Sequence, residues 1–224
     1  MFTIKDFNIK LINPEEVEKF IERHGSFSAV CYNTPKEKAE VVGKHCLQSG
    51  HFSGSRHLFF IFELKCVPRS AVDQAVRHNI GFVTNVQSLR YCNKDGKVSL
   101  YAAPEIAKDI YLSNSLRNYE SQVQANYDYF QNNMKAEGCT NEQANEIART
   151  VLPIGIATEC NIAVNIECLI HLANVRLCTR AELPIRTIVK EMVRQVVEVE
   201  PRYKPFLVPN CKKLGYCPEG KDCK

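Results

Sequence analysis

Arg77-His78-Asn79-Ile80-Gly81-Phe82-Val83-Thr84-Asn85-Val86-Gln87-Ser88-Leu89-Arg90-Tyr91 packs two arginines, a histidine, two asparagines, a glutamine and a serine into one short run. Upstream of it, Leu58-Phe59-Phe60-Ile61-Phe62 is wholly apolar. An apolar strand that enters a core and is soon followed by a dense polar cluster reads as scaffold delivering a site. Guanidinium forks match phosphate oxygens bidentately, so two fixed positive charges among amides and hydroxyls suit a phosphate and a planar heterocycle. The same run also reads as a solvated loop with scattered charges. By itself it leaves both readings open.

The flanking sequence supplies the frame. Residues 58–67 predict the strongest strand of the chain. Pro68-Arg69-Ser70 restarts a helix that sets Gln74 and Arg77 one turn apart, residues 82–91 are expected to be extended, and Asn93-Lys94-Asp95-Gly96-Lys97 is a turn. Nearer the N-terminus, residues 2–12 read as a first strand. Asn13-Pro14-Glu15-Glu16 is a helix start, with the helix running to about His24 and Gly25 as its stop. Thr34-Pro35-Lys36-Glu37 opens a second helix ending near Ser49-Gly50; Gly43 in its interior counts against it. Leu116, Tyr119, Val123, Tyr127, Phe130 and Met134 recur at steps of three and four and make one face of a long helix, read as core or subunit contact. Thr140-Asn141-Glu142-Gln143 carries a capping-box pattern. Residues 154–164 are extended, Asn165 begins a helix through Leu169, Leu172 and Val175, and Pro184 starts a final helix. The order β, α, α, β, α, β, long α, α, β, α, α predicts an α+β single domain with a mixed β-sheet and a helical layer. That domain spans 1–207, and a Cys-, Lys- and Gly-rich tail spans 208–224.

Bulk properties narrow the function classes. Of 224 residues, 45% are hydrophobic and 24% charged, as in ordinary soluble globular proteins. A net charge of +4 accommodates an anionic ligand but is too weak for nucleic-acid coating. No apolar run approaches the ~20 residues of a membrane span. Met1-Phe2-Thr3-Ile4-Lys5-Asp6 lacks the apolar region of a signal peptide, so a cytoplasmic location is expected. The eleven cysteines are spread without a dense framework and are expected to be reduced, mostly as small buried hydrophobes. In the tail, Cys211, Cys217 and Cys223 are spaced too widely for preferred zinc pairs and have no nearby histidine. A disordered tail is expected there, with a metal site as the lesser alternative, and no metal centre is expected elsewhere.

No Ser-His-Asp or Cys-His set stands out, and there is no Walker loop, no G-x-G-x-x-G and no His-Glu-x-x-His. What stands out is four arginines on different elements, Arg77, Arg90, Arg149 and Arg176, each near an amide, histidine or hydroxyl. They point to a phosphorylated or otherwise anionic small molecule.

Several motifs, in order, then resemble the flavin-dependent thymidylate synthases, whose fold is that of thymidylate synthase-complementing proteins. Arg77-His78-Asn79 followed by Ser88-Leu89-Arg90-Tyr91 resembles the family's R-H-R…S signature, with one extra residue between the halves. Ser49-Gly50-His51-Phe52-Ser53 resembles its S-G-H-x-S/T segment, and Gln74 matches the glutamine before the signature. Ala148-Arg149-Thr150-Val151-Leu152-Pro153 matches A-R-x-V-L-P. Val164-Asn165, Asn174-Val175-Arg176-Leu177 and Arg180-Ala181-Glu182-Leu183-Pro184-Ile185-Arg186 resemble later segments.

The resemblance implies methylation of dUMP to dTMP, with methylene-tetrahydrofolate as carbon donor and FAD reduced by NADPH, in a homotetramer with active sites at subunit interfaces. It implies that Ser88, Leu89, Arg90 and Arg149 hold the dUMP phosphate and that Gln74 and Arg77 bridge nucleotide and flavin. Arg176 would stabilise negative charge on the uracil edge as the catalytic residue. His51, Ser53, His78, Asn79, Asn165 and His171 would line FAD. The sequence departs from the family pattern at Asn79 (usually Arg), Val86 (Glu), Glu167 (Arg), His171 (Asn), Leu183-Pro184 (Trp-Glu) and Arg56 (Glu). Those departures also admit a related pyrimidine-nucleotide enzyme with a different flavin, folate or carbon donor, or a nucleotide-binding oligomer without catalysis.

Overall fold

The computed structural model describes residues 1–31, 33–92, 94 and 96–220. The chain forms two compact units. Unit 1 comprises residues 1–8, 64–73 and 85–160; unit 2 comprises residues 9–63, 74–84 and 161–224. Four strands, β1 (Asn8–Leu11), β2 (Phe59–Pro68), β3 (Phe82–Val86) and β4 (Ala157–Asn165), form one sheet in the order β1-β2-β4-β3. The helices are α1 (Pro14–Val17), α2 (Phe20–Val30), α3 (Ala39–Gln48), α4 (Arg69–Ala75), α5 (Pro104–Lys108), α6 (Ile110–Ala136), α7 (Asn141–Ala148), α8 (Ile166–Arg176), α9 (Leu183–Val199) and α10 (Asn210–Leu214). This α+β order follows the sequence reading. No helix among the described residues is long and apolar enough to cross a membrane.

The central strands run antiparallel. In unit 1, Arg69 N donates to Ile156 O and Ser70 N to Ile154 O, so rising numbers on one side meet falling numbers on the other. In unit 2, Thr84 Oγ1 donates to Asn161 O and Asn165 N to Gly81 O, again in opposite directions. Parallel pairing is found at the isolated Phe2–Tyr101 bridge in unit 1. Phe60, Phe62 and Leu64 are buried on alternate positions of β2, the period-two signature of a half-covered strand. The alternation breaks at Cys66, whose φ of +55° kinks the strand.

In unit 1 the long helix α6 buries Ser113, Val123, Tyr127 and Gln131. Val123 packs with Val98, Leu100 and Ile156, with Leu116 and Leu152 alongside. On the face read as core or subunit contact, Tyr119 and Phe130 are 48% and 38% exposed. A 3.6-residue period fixes the direction of a face but not its width. The capping box at Thr140 forms as expected and starts α7. The Asn93–Lys97 turn falls partly outside the described residues, since Asn93 and Asp95 are not among them.

Unit 2 corrects three expectations. Asn13 does not cap α1 through its side chain. Its amide clamps β2 instead, accepting from Ile61 N and donating to Phe59 O, both at 2.9 Å. Gly25 is not a stop: α2 runs through it to Val30. A Cβ on Gly25 would lie 1.6 Å from Ala39 O, and one on Gly43 would lie 1.9 Å from Ile21 O. These two glycines let the backbones of α2 and α3 touch, which outweighs their poor helix propensity. The expected disordered tail contains α10, and Cys211 and Cys217 line a small cavity of about 120 Å³ with Cys178. Cys223 lies outside the described residues.

Candidate functional site

The polar run 77–91 is divided between the two units: residues 77–84 belong to unit 2 and 85–91 to unit 1.

In unit 1, Ser88, Leu89 and Arg90 follow β3 in a turn held from below. Tyr127 and Gln131 on α6 contact Asn145 Oδ1 on α7, the latter at 2.6 Å, and Asn145 Nδ2 donates to Arg90 O at 2.9 Å. Asn145 is 4% exposed, so this amide spends its hydrogen bonds fixing the loop. Arg90 N donates to Ser88 Oγ at 3.2 Å, and the Arg90 guanidinium pairs with Glu146 Oε2 at 3.1 Å. Arg149 sits three residues beyond Glu146, exposed, at the end of the same helix. Ser88 and Arg90 are thus joined to each other and to the helix whose C-terminal end carries Arg149.

In unit 2, a cleft of about 280 Å³ is walled by Arg77, His78, Asn79, Ile80, Glu167 and His171. His78 and His171 stack edge to face with ring centroids 5.0 Å apart. Arg176 Nε donates to His78 Nε2 at 3.2 Å, which leaves the guanidinium's Nη donors for a ligand. Burial, then the charge of Arg176 and then His171, lower the His78 pKa, so the ring is the neutral acceptor this bond needs. Cys168 donates its thiol to His78 O at 3.7 Å, and burial pushes its pKa up to about 11, so it is no ready nucleophile.

Asn165 starts α8 as its N-cap, accepting from Cys168 N at 3.0 Å, and its Nδ2 lies 3.5 Å from Arg56 O. Gly81, at φ +72°, sits so close that a Cβ would meet the Asn165 amide at 2.3 Å. Asn165 therefore positions the cleft. Gln74 is engaged elsewhere, donating to Glu182. His51 and Ser53 are exposed and do not line the cleft; the Ser53–Ser55 turn is seated against His24 and Ser28 of α2, with no room for a Cβ at Gly54.

Two departures from the family pattern prove to be one. Arg56 Nε donates to Glu167 Oε2 at 2.6 Å, and Arg56 Nη2 to Oε1 at 3.3 Å. Where the pattern has Glu and Arg, this chain has Arg and Glu, and the two form a bidentate pair with polarity exchanged. Separation by more than a hundred residues hid the compensation. Sequence reasoning also passed over Ile80, which is 87% exposed on the cleft and offers an apolar surface. The available signal was one large apolar residue inside a polar run. A planar, amphipathic ring fits a wall of exposed isoleucine, two imidazoles and an arginine, so a flavin suits these residues.

A family model described as thymidylate synthase complementing protein matches residues 16–202. A flavin-dependent thymidylate synthase of Nitratidesulfovibrio vulgaris is 33% identical over 187 residues, covering 83% of this chain and 75% of that protein. One from Clostridium tetani is 29% identical, covering 93% of this chain and 87% of its own. Among solved structures, a UMP/dUMP methylase from Streptomyces cacaoi bound with 5-Br UMP shares the fold, with a TM-score of 0.59 at 15% identity over 90% of this chain and 95% of that one. The chain belongs to the thymidylate synthase complementing protein family, the enzyme family of the flavin-dependent thymidylate synthases.

Proposed function

We propose that the protein methylates dUMP to dTMP, taking carbon from methylene-tetrahydrofolate, with FAD as the flavin and NADPH as its reductant. The observation that carries this reading is the Arg176–His78 bond on a cleft wall suited to a planar ring. It joins a group that stabilises charge to a surface that binds a flavin.

When bound, the flavin supplies hydride transfer. The chain's residues orient and stabilise. Ser88, the Leu89 backbone, Arg90 and Arg149 hold the nucleotide phosphate. The exposed Arg90–Glu146 pair is worth little in water, so a doubly charged phosphate displaces the carboxylate. Arg77, and Gln74 once released from Glu182, bridge nucleotide and flavin on this reading. The Nη groups of Arg176 stabilise negative charge on the uracil edge. His78, Asn79 and His171 line the ring, with Asn165 holding the wall.

The working unit on this reading is a homotetramer with sites at subunit interfaces. Support comes from α6, which exposes Ile110 (64%), Tyr111 (82%), Leu112 (51%) and Tyr129 (65%), more apolar surface than a solvated helix face presents.

The test is the visible absorption of the purified protein with and without added FAD, followed by mass analysis of the nucleotide after incubation with dUMP, methylene-tetrahydrofolate and NADPH. A flavin spectrum and a product heavier by one methyl group are expected. The altered flavin-side residues favour one second reading, a nucleotide-binding protein without catalysis. It would give a colourless protein whose Tm rises with dUMP and not with FAD.

The exchanged pair makes its own prediction. Glu167→Arg faces two like charges across the cleft rim and is expected to weaken FAD binding roughly three- to tenfold. The double variant Arg56→Glu with Glu167→Arg restores a pair and should recover the affinity. Flavin fluorescence titration measures both, and a double variant as weak as the single one would show that the pair does not act as a unit.

A further inference from the structure

Unit 1 holds a second cleft, of about 770 Å³, that shares no residue with the Arg77–His171 wall. Ser88, Leu89, Arg90 and Arg149 are not in its lining either. Its size falls in the range of small-molecule sites, roughly 300–1,000 Å³.

The lining is rich in donors. Lys65, Lys94 and Lys97 contribute to it. Lys94 is 9% exposed and donates to Gln87 Oε1 at 3.1 Å and to Ala157 O at 3.5 Å. An ammonium has three donor hydrogens, so one has no partner among the described residues. Gln87 uses its carbonyl on Lys94, which leaves its amide N–H groups. Thr158 is 1% exposed and its hydroxyl, without a partner among the described residues, is buried away from the cleft. The Lys94 ammonium, buried on the cleft wall with one donor hydrogen to spare, is open to an acceptor from outside the chain.

The charges agree. Among the described residues two carboxylates also line the cleft, Glu142 and Glu159, together with Lys65, Lys94 and Lys97. Glu142 is held at the start of α7 by its own backbone N–H and the Thr140 hydroxyl, which lower its pKa. Burial lowers the Lys94 pKa, and the nearby charges of Lys97 and Arg69 lower it further against the opposing Cys92 and Glu159. An anion placed there would reverse that cost. The lining interleaves lysines with neutral donors, and a phosphate brings three acceptor oxygens and nearly two charges to meet them.

We propose that this cleft binds a phosphate-bearing small molecule, with Lys94 as the charged anchor and Gln87 as a neutral donor. The site is separate from the one assigned to the methylated nucleotide, and it stands whether or not that assignment does.

Calorimetric titration of the full chain with inorganic pyrophosphate tests it. Wild type is expected to bind. Lys94→Gln should weaken binding tenfold or more, and Lys97→Gln stands in should Lys94→Gln fail to fold. In Arg149→Ala, which disables the nucleotide phosphate position, one pyrophosphate site should remain. The proposal is overturned if pyrophosphate does not bind, if the lysine variants bind as wild type, or if Arg149→Ala removes the binding. The last result would place the anion at the nucleotide phosphate position.

Discussion

Replacing Arg176 by alanine is expected to lower the turnover of dUMP about 10²- to 10³-fold, with a much smaller rise in the KM for dUMP. A donor aimed at charge that develops during reaction contributes to the transition state more than to the ground state. Steady-state kinetics at saturating cofactors separates the two parameters. A rise in KM at constant kcat would make Arg176 a binding group only.

The His78 bond adds a pH signature to the same experiment. The neutral ring accepts from Arg176 Nε at 3.2 Å, and burial, Arg176 and His171 hold its pKa below the ordinary 6.5. Activity should therefore persist below pH 6.5 and fall once His78 itself takes a proton, since imidazolium offers no acceptor at Nε2. His78→Gln keeps an acceptor that does not titrate, so the acid limb should move or vanish in that variant. The sign for stability is the same. The unfolded chain takes the proton near 6.5 and the folded chain only at lower pH, so this contribution is present above 6.5 and is lost as pH falls through the window between the two values.

The largest effect on folding is expected at the crossing of α2 and α3. Gly25→Ala should cost on the order of 3 kcal/mol or more, read as a shift in the urea midpoint at unchanged slope. In an open helix the same change would gain about 1 kcal/mol. Here the new methyl falls 1.6 Å from Ala39 O, a backbone atom that moves only if the helices separate. Gly43→Ala meets Ile21 O at 1.9 Å and should behave alike. Gly155, where an added methyl group meets nothing within 4 Å, is the control, and Gly155→Ala should change stability by less than about 0.5 kcal/mol. Equal effects at Gly25 and Gly155 would remove the close-approach account.

Much of this was legible in the residues. The strand at 59–68, the capping box at Thr140, the Asn165 helix start and the 27-residue helix α6 rest on local chemistry: alternation, caps and a 3.6-residue period. Such signals need no knowledge of what lies far along the chain. Their failures also have local forms. Gly25 and Asn13 show the usual marks of a stop and a cap, and each serves a tertiary contact instead.

The sequence by itself determined the order of elements, the family and the list of charged and amide side chains available for anions and a planar ring. The tertiary structure decided which of them act together. It tied Arg176 to His78, and it joined Arg56 to Glu167, turning two substitutions into one exchanged pair. It committed Asn165 and Asn145 to holding loops and left Thr158 buried without a partner among the described residues. The reason is that hydrogen bonds and ion pairs form between atoms within about 3 Å, whatever their separation in sequence. A linear reading sees the donors and acceptors, and only the fold brings specific ones within that distance.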